Sequence, residues 1–437
     1  MDRSLGALTA LAVALALAPG LLAPAAADEP GPPLAGTAVS GSPARDAADA
    51  PELATGRYLD RLPAHGVRTY RLPRTAPGST FHVAAMYVGA GDSVGTGLRI
   101  EVGTTPGDRG CGSGGVFRPT LGERAPVLLA ATSTWTDVGD HPCATADELF
   151  LTVGAPADPA DAGRAVEVRV FEEPAVSEHN LGLLPAPAAP EWEPLEPGRA
   201  RPVAAGTTPT NAPVVTDGSH RLVLRPGRTA VLAVPLGWDQ SLQAQLDARL
   251  PAGAPDPGGI SVEVVTPLLG TSAVPLAEGS ADRPADWRTR GVRGGRLRTG
   301  AQSQVVAYAH RDSYDSTLTS ASLAGVHHVL VRWSAGDAAG AQLRGVRVAA
   351  TLTLRTTGEP GDGVPAYTPS TLPAPEAGSR LVDGTLPEPA PQGPDARPPA
   401  AADDDSVVPL GGRGLAVAAL ATGLAVVGLL WLRRRRG

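Results

Sequence analysis

The chain has 437 residues, of which 42% are hydrophobic, 4% aromatic and 19% charged, and its formal net charge is -7. That length implies more than one domain, while 53 Gly and 45 Pro exclude a coiled coil or long helical bundle and, without a strict Gly period, collagen. All 37 basic residues are Arg, which removes chemistry needing a Lys amine, and the acidic excess without a basic, aromatic-laced patch excludes nucleic acid as a partner.

Residues 1–27 read as a secretory signal peptide: Arg3 in a short n-region, an apolar run over 5–17, a break at Pro19-Gly20, and Ala25-Ala26-Ala27 as a cleavage site. Residues 28–50, rich in Ala, Pro, Gly and Ser, read as a disordered leader. Over 51–173, apolar residues alternate in runs at 69–72, 79–87, 98–102, 148–153 and 166–170, with turn residues between. That period of two predicts antiparallel strands buried on one face, as in a β-sandwich or jelly roll. Cys111 and Cys143 lie in this segment, and an even count in an exported chain predicts a disulfide between them.

Residues 174–214 are rich in Pro and Ala and read as a semi-rigid linker. The strand pattern returns over 215–356, in runs at 219–224, 229–234, 241–246, 260–265, 328–333 and 346–354. Residues 357–413 read as a Pro-rich stalk that includes Asp403-Asp404-Asp405. Residues 414–432 are uncharged and long enough for a transmembrane helix, with Trp431 near one end, and 433–437 form a cytoplasmic Arg tail. No Leu-Pro-x-Thr-Gly sorting motif precedes the apolar run. The expectation is a single-pass, type I plasma-membrane protein with most of the chain extracytoplasmic.

The two strand-rich segments repeat one pattern. Gly56-Arg57-Tyr58 followed by Gly66 matches Gly218-Ser219-His220 followed by Gly227, and each segment closes with strand, loop and strand. Gly56-Arg57-Tyr58-Leu59-Asp60-Arg61-Leu62 with Gly66 and Tyr70, then Cys111-Gly112-Ser113-Gly114 and Cys143, resembles the first module after the von Willebrand factor A domain in actinobacterial membrane-anchored surface proteins. Val234-Pro235-Leu236-Gly237-Trp238-Asp239-Gln240, Val306-Ala307-Tyr308-Ala309-His310-Arg311 and Leu323-Ala324-Gly325-Val326-His327-His328 are similar to the next module. Such modules are similar to pre-peptidase C-terminal β-sandwiches. The resemblance spans roughly residues 50–355 and the C-terminal anchor. It implies an accessory or adhesive role in the envelope and transfers no site residues, and the A domain with its metal-dependent binding is lacking here.

Gly91-Asp92-Ser93-Val94-Gly95 fits the G-x-S-x-G pattern, in which Ser93 would be a nucleophile on a strand-to-helix turn. The next run, 98–102, is another strand, so a hairpin loop is the simpler reading. Adjacent residues on a strand face opposite ways, so His327 and His328 are not expected to share a metal; one should be packed and the other solvated. Asp158 and Asp161 are too few for a calcium loop and read as a solvated turn. Trp238, Tyr308, Tyr314 and Trp333 either stack sugars or pack a sandwich core, and the core is the expected role. The expectation is therefore a mainly β chain: two tandem antiparallel β-sandwich or jelly-roll modules plus a C-terminal transmembrane helix. It has no cofactor, no metal and no catalytic residue, and its partner is an envelope protein or glycan beside the membrane that holds its terminal helix. The expected role is non-enzymatic, with an exported serine hydrolase using Ser93 as the alternative.

Overall fold

The computed structural model describes residues 32–43, 48–90, 95–118, 126–134, 141–177, 184, 187, 189–250, 259–272, 295–313, 315–334, 345–360 and 365–372. In the first module the strands are β1 (Thr37–Ala38), β2 (Gly56–Arg61), β3 (Val67–Pro73), β4 (Thr80–Val88), β5 (Thr96–Gly103), β6 (Gly112–Phe117), β7 (Val127–Ser133), β8 (Glu148–Gly154) and β9 (Ala165–Glu173). A one-turn helix, α1 (Pro142–Thr145), precedes β8. Among the described residues these strands form two sheets, ordered β1-β2-β9-β4-β7 and β3-β8-β5-β6.

The period of two explains their pairing. Phe81, Val83, Ala85 and Tyr87 of β4 and Val166, Val168 and Val170 of β9 face Tyr70, Leu72, Ile100, Leu149 and Leu151 of the other sheet, and all are buried. Each strand thus gives one face to a shared apolar core. The glycines of β6 allow a close approach: a Cβ on Gly114 would collide with the Ala131 carbonyl of β7.

The second module contains β10 (Arg201–Pro202), β11 (Gly218–Leu224), β12 (Thr229–Leu236), β13 (Ser241–Arg249), β14 (Gly259–Val265), β15 (Arg296–Gln302), β16 (Gly325–Ser334) and β17 (Val348–Thr357), with a short helix α2 (Ser316–Ser320). Its sheets are ordered β10-β11-β17-β13-β15 and β12-β16-β14 among the described residues. The connectivity repeats that of the first module. A short parallel strand leads in, the second long strand opens the other sheet, and the last strand lies between the first and third long strands. Even isolated bridges correspond: Ser42 with Thr69 and Glu52 with Arg71 in one, Gly206 with Val231 and Val214 with Ala233 in the other.

This duplication revises three expectations. The leader is not disordered over its described residues, since β1 pairs with β2 and Ser42 exchanges two backbone hydrogen bonds with Thr69. The linker is likewise built in: 201–214 takes the place in module two that 37–52 takes in module one. Upstream of it, the Gln243 side chain grips the backbone N–H and C=O of Glu193, and Gln245 those of Leu195. The start of the stalk also packs: Val176 bridges Tyr367, with Ser177 N–H to Ala366 C=O at 2.9 Å and Thr368 N–H to Ala175 C=O at 2.7 Å. In each case composition pointed to open chain, but the backbone groups found partners within the fold.

The transmembrane expectation does not stand. The fold is mainly β with several sheets, and among the described residues no helix is long and apolar enough to cross a membrane. Crossing needs about 20 apolar residues in one helix, whereas α1 has 4 residues and α2 has 5. Residues 414–432 lie outside the described residues. The membrane as a partner and the single-pass plasma-membrane location fall with that helix.

The modules touch. Ala84, Met86 and Phe171, on the outward face of β4 and β9, pack against Leu268, Leu269 and Leu323 of the second module. Leu129 of β7 also packs against Val231, Val265 and Leu330 on the outward face of the β12-β16-β14 sheet. Leu269 has φ of 64°, a left-handed conformation costly for a bulky residue, which presents the Leu268-Leu269 pair to the seam.

Candidate functional site: a cleft at the seam between the modules

At one end of this seam lies a cleft of about 410 Å³, lined from both modules. Its floor is a chain of polar side chains that strand alternation sends outward from the first core. His82 on β4 lies opposite Ser133 on β7 and Phe171 on β9. Thr134 N–H donates to Phe81 C=O, so His82 and Ser133 form the closer, non-hydrogen-bonded kind of pair. The Ser133 hydroxyl meets His82 Nδ1 at 2.7 Å, and His82 Nε2 meets the Glu173 carboxylate at 2.6 Å. From the second module Arg311 reaches the same carboxylate, and Tyr367 donates its hydroxyl to it at 2.8 Å. Arg311 lies 4.1 Å from the Tyr308 ring centroid and donates to the Tyr308 hydroxyl at 2.8 Å.

Glu173 has 0% side-chain exposure. Burial alone would raise its carboxyl, but Arg311, His82 and Tyr367 outweigh that and hold it at about 2. Burial pushes the His82 imidazole below its ordinary value; Glu173 opposes this and Arg311 adds to it. His82 is therefore neutral near pH 7, its Nε2–H directed to the carboxylate and its Nδ1 accepting from Ser133. Burial also raises the Tyr367 phenol, so it remains a donor.

The disulfide shapes one wall. Cys111 and Cys143, 32 residues apart in sequence, are bonded with Cα atoms 5.3 Å apart. This ties α1 to the start of β6, next to Arg109, Gly112 and Ser113 of the cleft. Arg74 braces the same corner by donating to Cys143 C=O at 2.6 Å and Ala146 C=O at 2.8 Å.

The other candidates fall elsewhere. Ser93 lies outside the described residues. His327 and His328 are both buried, at 0% and 4% exposure, so neither is the solvated partner expected. They do face opposite ways: His327 sits on the side of the core residues Val329 and Val331, and His328 feels Arg169 of the first module. Asp161 is not in a solvated turn either. It is buried, accepts from Ala90 N–H at 2.7 Å and Tyr87 hydroxyl at 2.9 Å, and pairs with Arg118. Asp158 caps the following 3₁₀ turn through Ala160 N–H. Trp238, Tyr308 and Trp333 pack in the second core, as the sandwich reading expects; Tyr314 is outside the described residues. Among the described residues, no group of three or more His, Cys, Asp and Glu is placed to hold a metal.

Sequence reasoning missed His82, Ser133, Glu173 and Arg311. The first three occupy the polar side of strands, where a solvated face is the usual inference. The available signal was the acid pair Glu172-Glu173, which breaks the alternation of apolar and charged residues at the end of β9. Glu172 too is buried, and it accepts from the Thr75 and Ala76 N–H groups and from the Thr75 and Ser79 hydroxyls.

No protein-family model matches the chain. No curated protein matches it.

Proposed function

We propose that the chain is a non-enzymatic cell-envelope protein with a structural, adhesive or accessory role, in keeping with its resemblance to the paired modules of actinobacterial surface proteins. The observation that carries this reading is the cleft: both modules contribute its walls, and the seam below it is packed and hydrogen-bonded. A tandem joined in this way presents one preformed concave surface, and such surfaces bind with little ordering cost. The expected partner is an envelope protein or glycan.

The test is retention of envelope components on the immobilised full chain, beside a Ser113→Trp variant that fills the cleft. One defined partner held by the parent and lost from the folded variant is the expected result. Equal retention by both would contradict the reading.

A second reading, an exported serine hydrolase, has one observation in its favour. That observation is the Ser133–His82–Glu173 chain, which has the hydrogen-bond order of a nucleophile, base and orienting acid. Acyl transfer would require a transient His82 imidazolium. Burial disfavours that cation, Glu173 only partly offsets the cost, and Arg311 adds to it, which ranks this reading second. A fluorophosphonate probe separates the two: labelling lost on Ser133→Ala, or on Ser93→Ala, would favour the hydrolase, and an unlabelled protein favours the binding role.

A further inference from the structure

We propose that the cleft takes an oxyanion, a ligand carrying a phosphate or carboxylate group, held by Arg109 with the hydroxyls of Ser113, Thr132, Ser316 and Ser320. This rests on the binding role above and specifies its ligand chemistry. The cleft lining contains no Asp or Glu, but it contains eleven Ser and Thr residues and two Arg. Much of that polarity is already committed. Ser133 bonds His82, Thr134 accepts from Phe81 N–H, Thr266 accepts from Gly270 N–H, and Ser322 donates to Thr319 C=O. The charge of Arg311 is balanced by Glu173 beneath it.

What remains is uncommitted. Among the described residues, the side chains of Arg109, Ser113, Thr132, Ser316 and Ser320 make no hydrogen bond or ion pair within the protein. Arg109, Ser113 and Thr132 belong to the first module, and Ser316 and Ser320 to the second. Two glycines leave room before these hydroxyls: a Cβ on Gly112 would stand 2.7 Å from Thr132 Oγ1, and one on Gly270 would stand 2.6 Å from Ser320 Oγ.

The donor inventory sets the ligand class. An Arg offers five N–H donors and no acceptor, in a fork that fits a carboxylate or phosphate edge. Hydroxyls turn their protons toward an anion at no charge cost. A cationic ligand would meet Arg109 and no acid, and a neutral ligand would leave the Arg109 charge unanswered.

The experiment is calorimetric titration of the full chain at fixed ionic strength with three probes: inorganic phosphate, trigalacturonate and neutral galactotriose. Phosphate or trigalacturonate should bind, and the stronger of the two names the preferred group. Arg109 is exposed, so Arg109→Gln should fold normally and weaken that binding at least tenfold, with Arg109→Lys in between. Anion binding unchanged in Arg109→Gln would overturn the proposal, as would no anion binding at all. Binding of galactotriose alone, lost in Ser113→Trp, would also overturn it while leaving the binding role of the cleft intact.

Discussion

The faces turned away from the two cores end in different surroundings. On the outer sheet of the first module, Arg71 pairs with Glu52 at 2.9 Å and Glu148 at 3.2 Å, and Arg99 pairs with Glu101 at 2.5 Å, all with partly exposed side chains. On the central sheet the same alternation presents His82, Glu167, Arg169 and Glu173, and these are buried against the second module. Arg169 bonds Glu167 at 2.9 Å and crosses to Pro267 C=O at 3.3 Å and the Thr210 hydroxyl at 3.1 Å. Arg332 crosses the other way to Val127 C=O at 3.0 Å. Alternation therefore marks the side a strand turns from its own core, and it does not say whether that side meets water. Charged residues that look equivalent in sequence should differ several-fold in what they contribute.

The largest break in that comparison is Glu173→Ala, which leaves Arg311 buried without its counterion. It should cost about 3–5 kcal/mol, whereas Glu101→Ala on the outer face should cost less than about 1 kcal/mol. Urea unfolding of both variants checks this, and equal losses would erase the distinction between the faces.

Removal of the disulfide comes next. Cys111→Ala with Cys143→Ala opens a loop whose closure is worth roughly 3–4 kcal/mol. The loss should appear as a lower midpoint of the chain's unfolding transition.

Acid should weaken the buried layers before it reaches the carboxylate. Burial lowers His327 from 6.5 to about 4, and His82 and His328 move the same way. All three are neutral in the fold, so their contribution is complete above pH 6.5 and declines below it; that of His327 is lost as pH falls through about 4. For His327 alone this amounts to roughly 3 kcal/mol. Glu173, held at about 2 against an ordinary 4.5, contributes fully above pH 4.5 and fades only toward pH 2. Urea midpoints at pH 7, 5.5 and 4 should therefore fall steadily, and a flat profile would contradict the buried, neutral histidines.

The smallest effect concerns the segment laid on the far sheet. Gln245→Ala removes the grip on Leu195. It should cost about 1 kcal/mol, with faster proteolysis near residue 195 as its readout.

The cores were legible because residues such as Val83, Ile100, Leu246 and Val331 alternate cleanly, and the disulfide because only two Cys exist. The repeat was legible as spacing, and the strand order supplies its physical basis. The seam was not legible. His82 and Glu173 are neighbours only through pairing between β4 and β9, and Arg311 reaches them from more than a hundred residues away, on a turn with no period of its own. Nor could composition show that Pro-rich 190–214 would be held, since side-chain amides of β13 hold Glu193 and Leu195 and backbone pairing with β11 and β12 holds 201–214.

Differential scanning calorimetry of the full chain at pH 7 tests the packed seam most directly. Two modules joined by buried apolar and ionic contacts should unfold in one cooperative transition, which Glu173→Ala separates into two. Two independent transitions in the unaltered chain would mean that the modules do not stabilise one another, and the seam and its cleft would fall together.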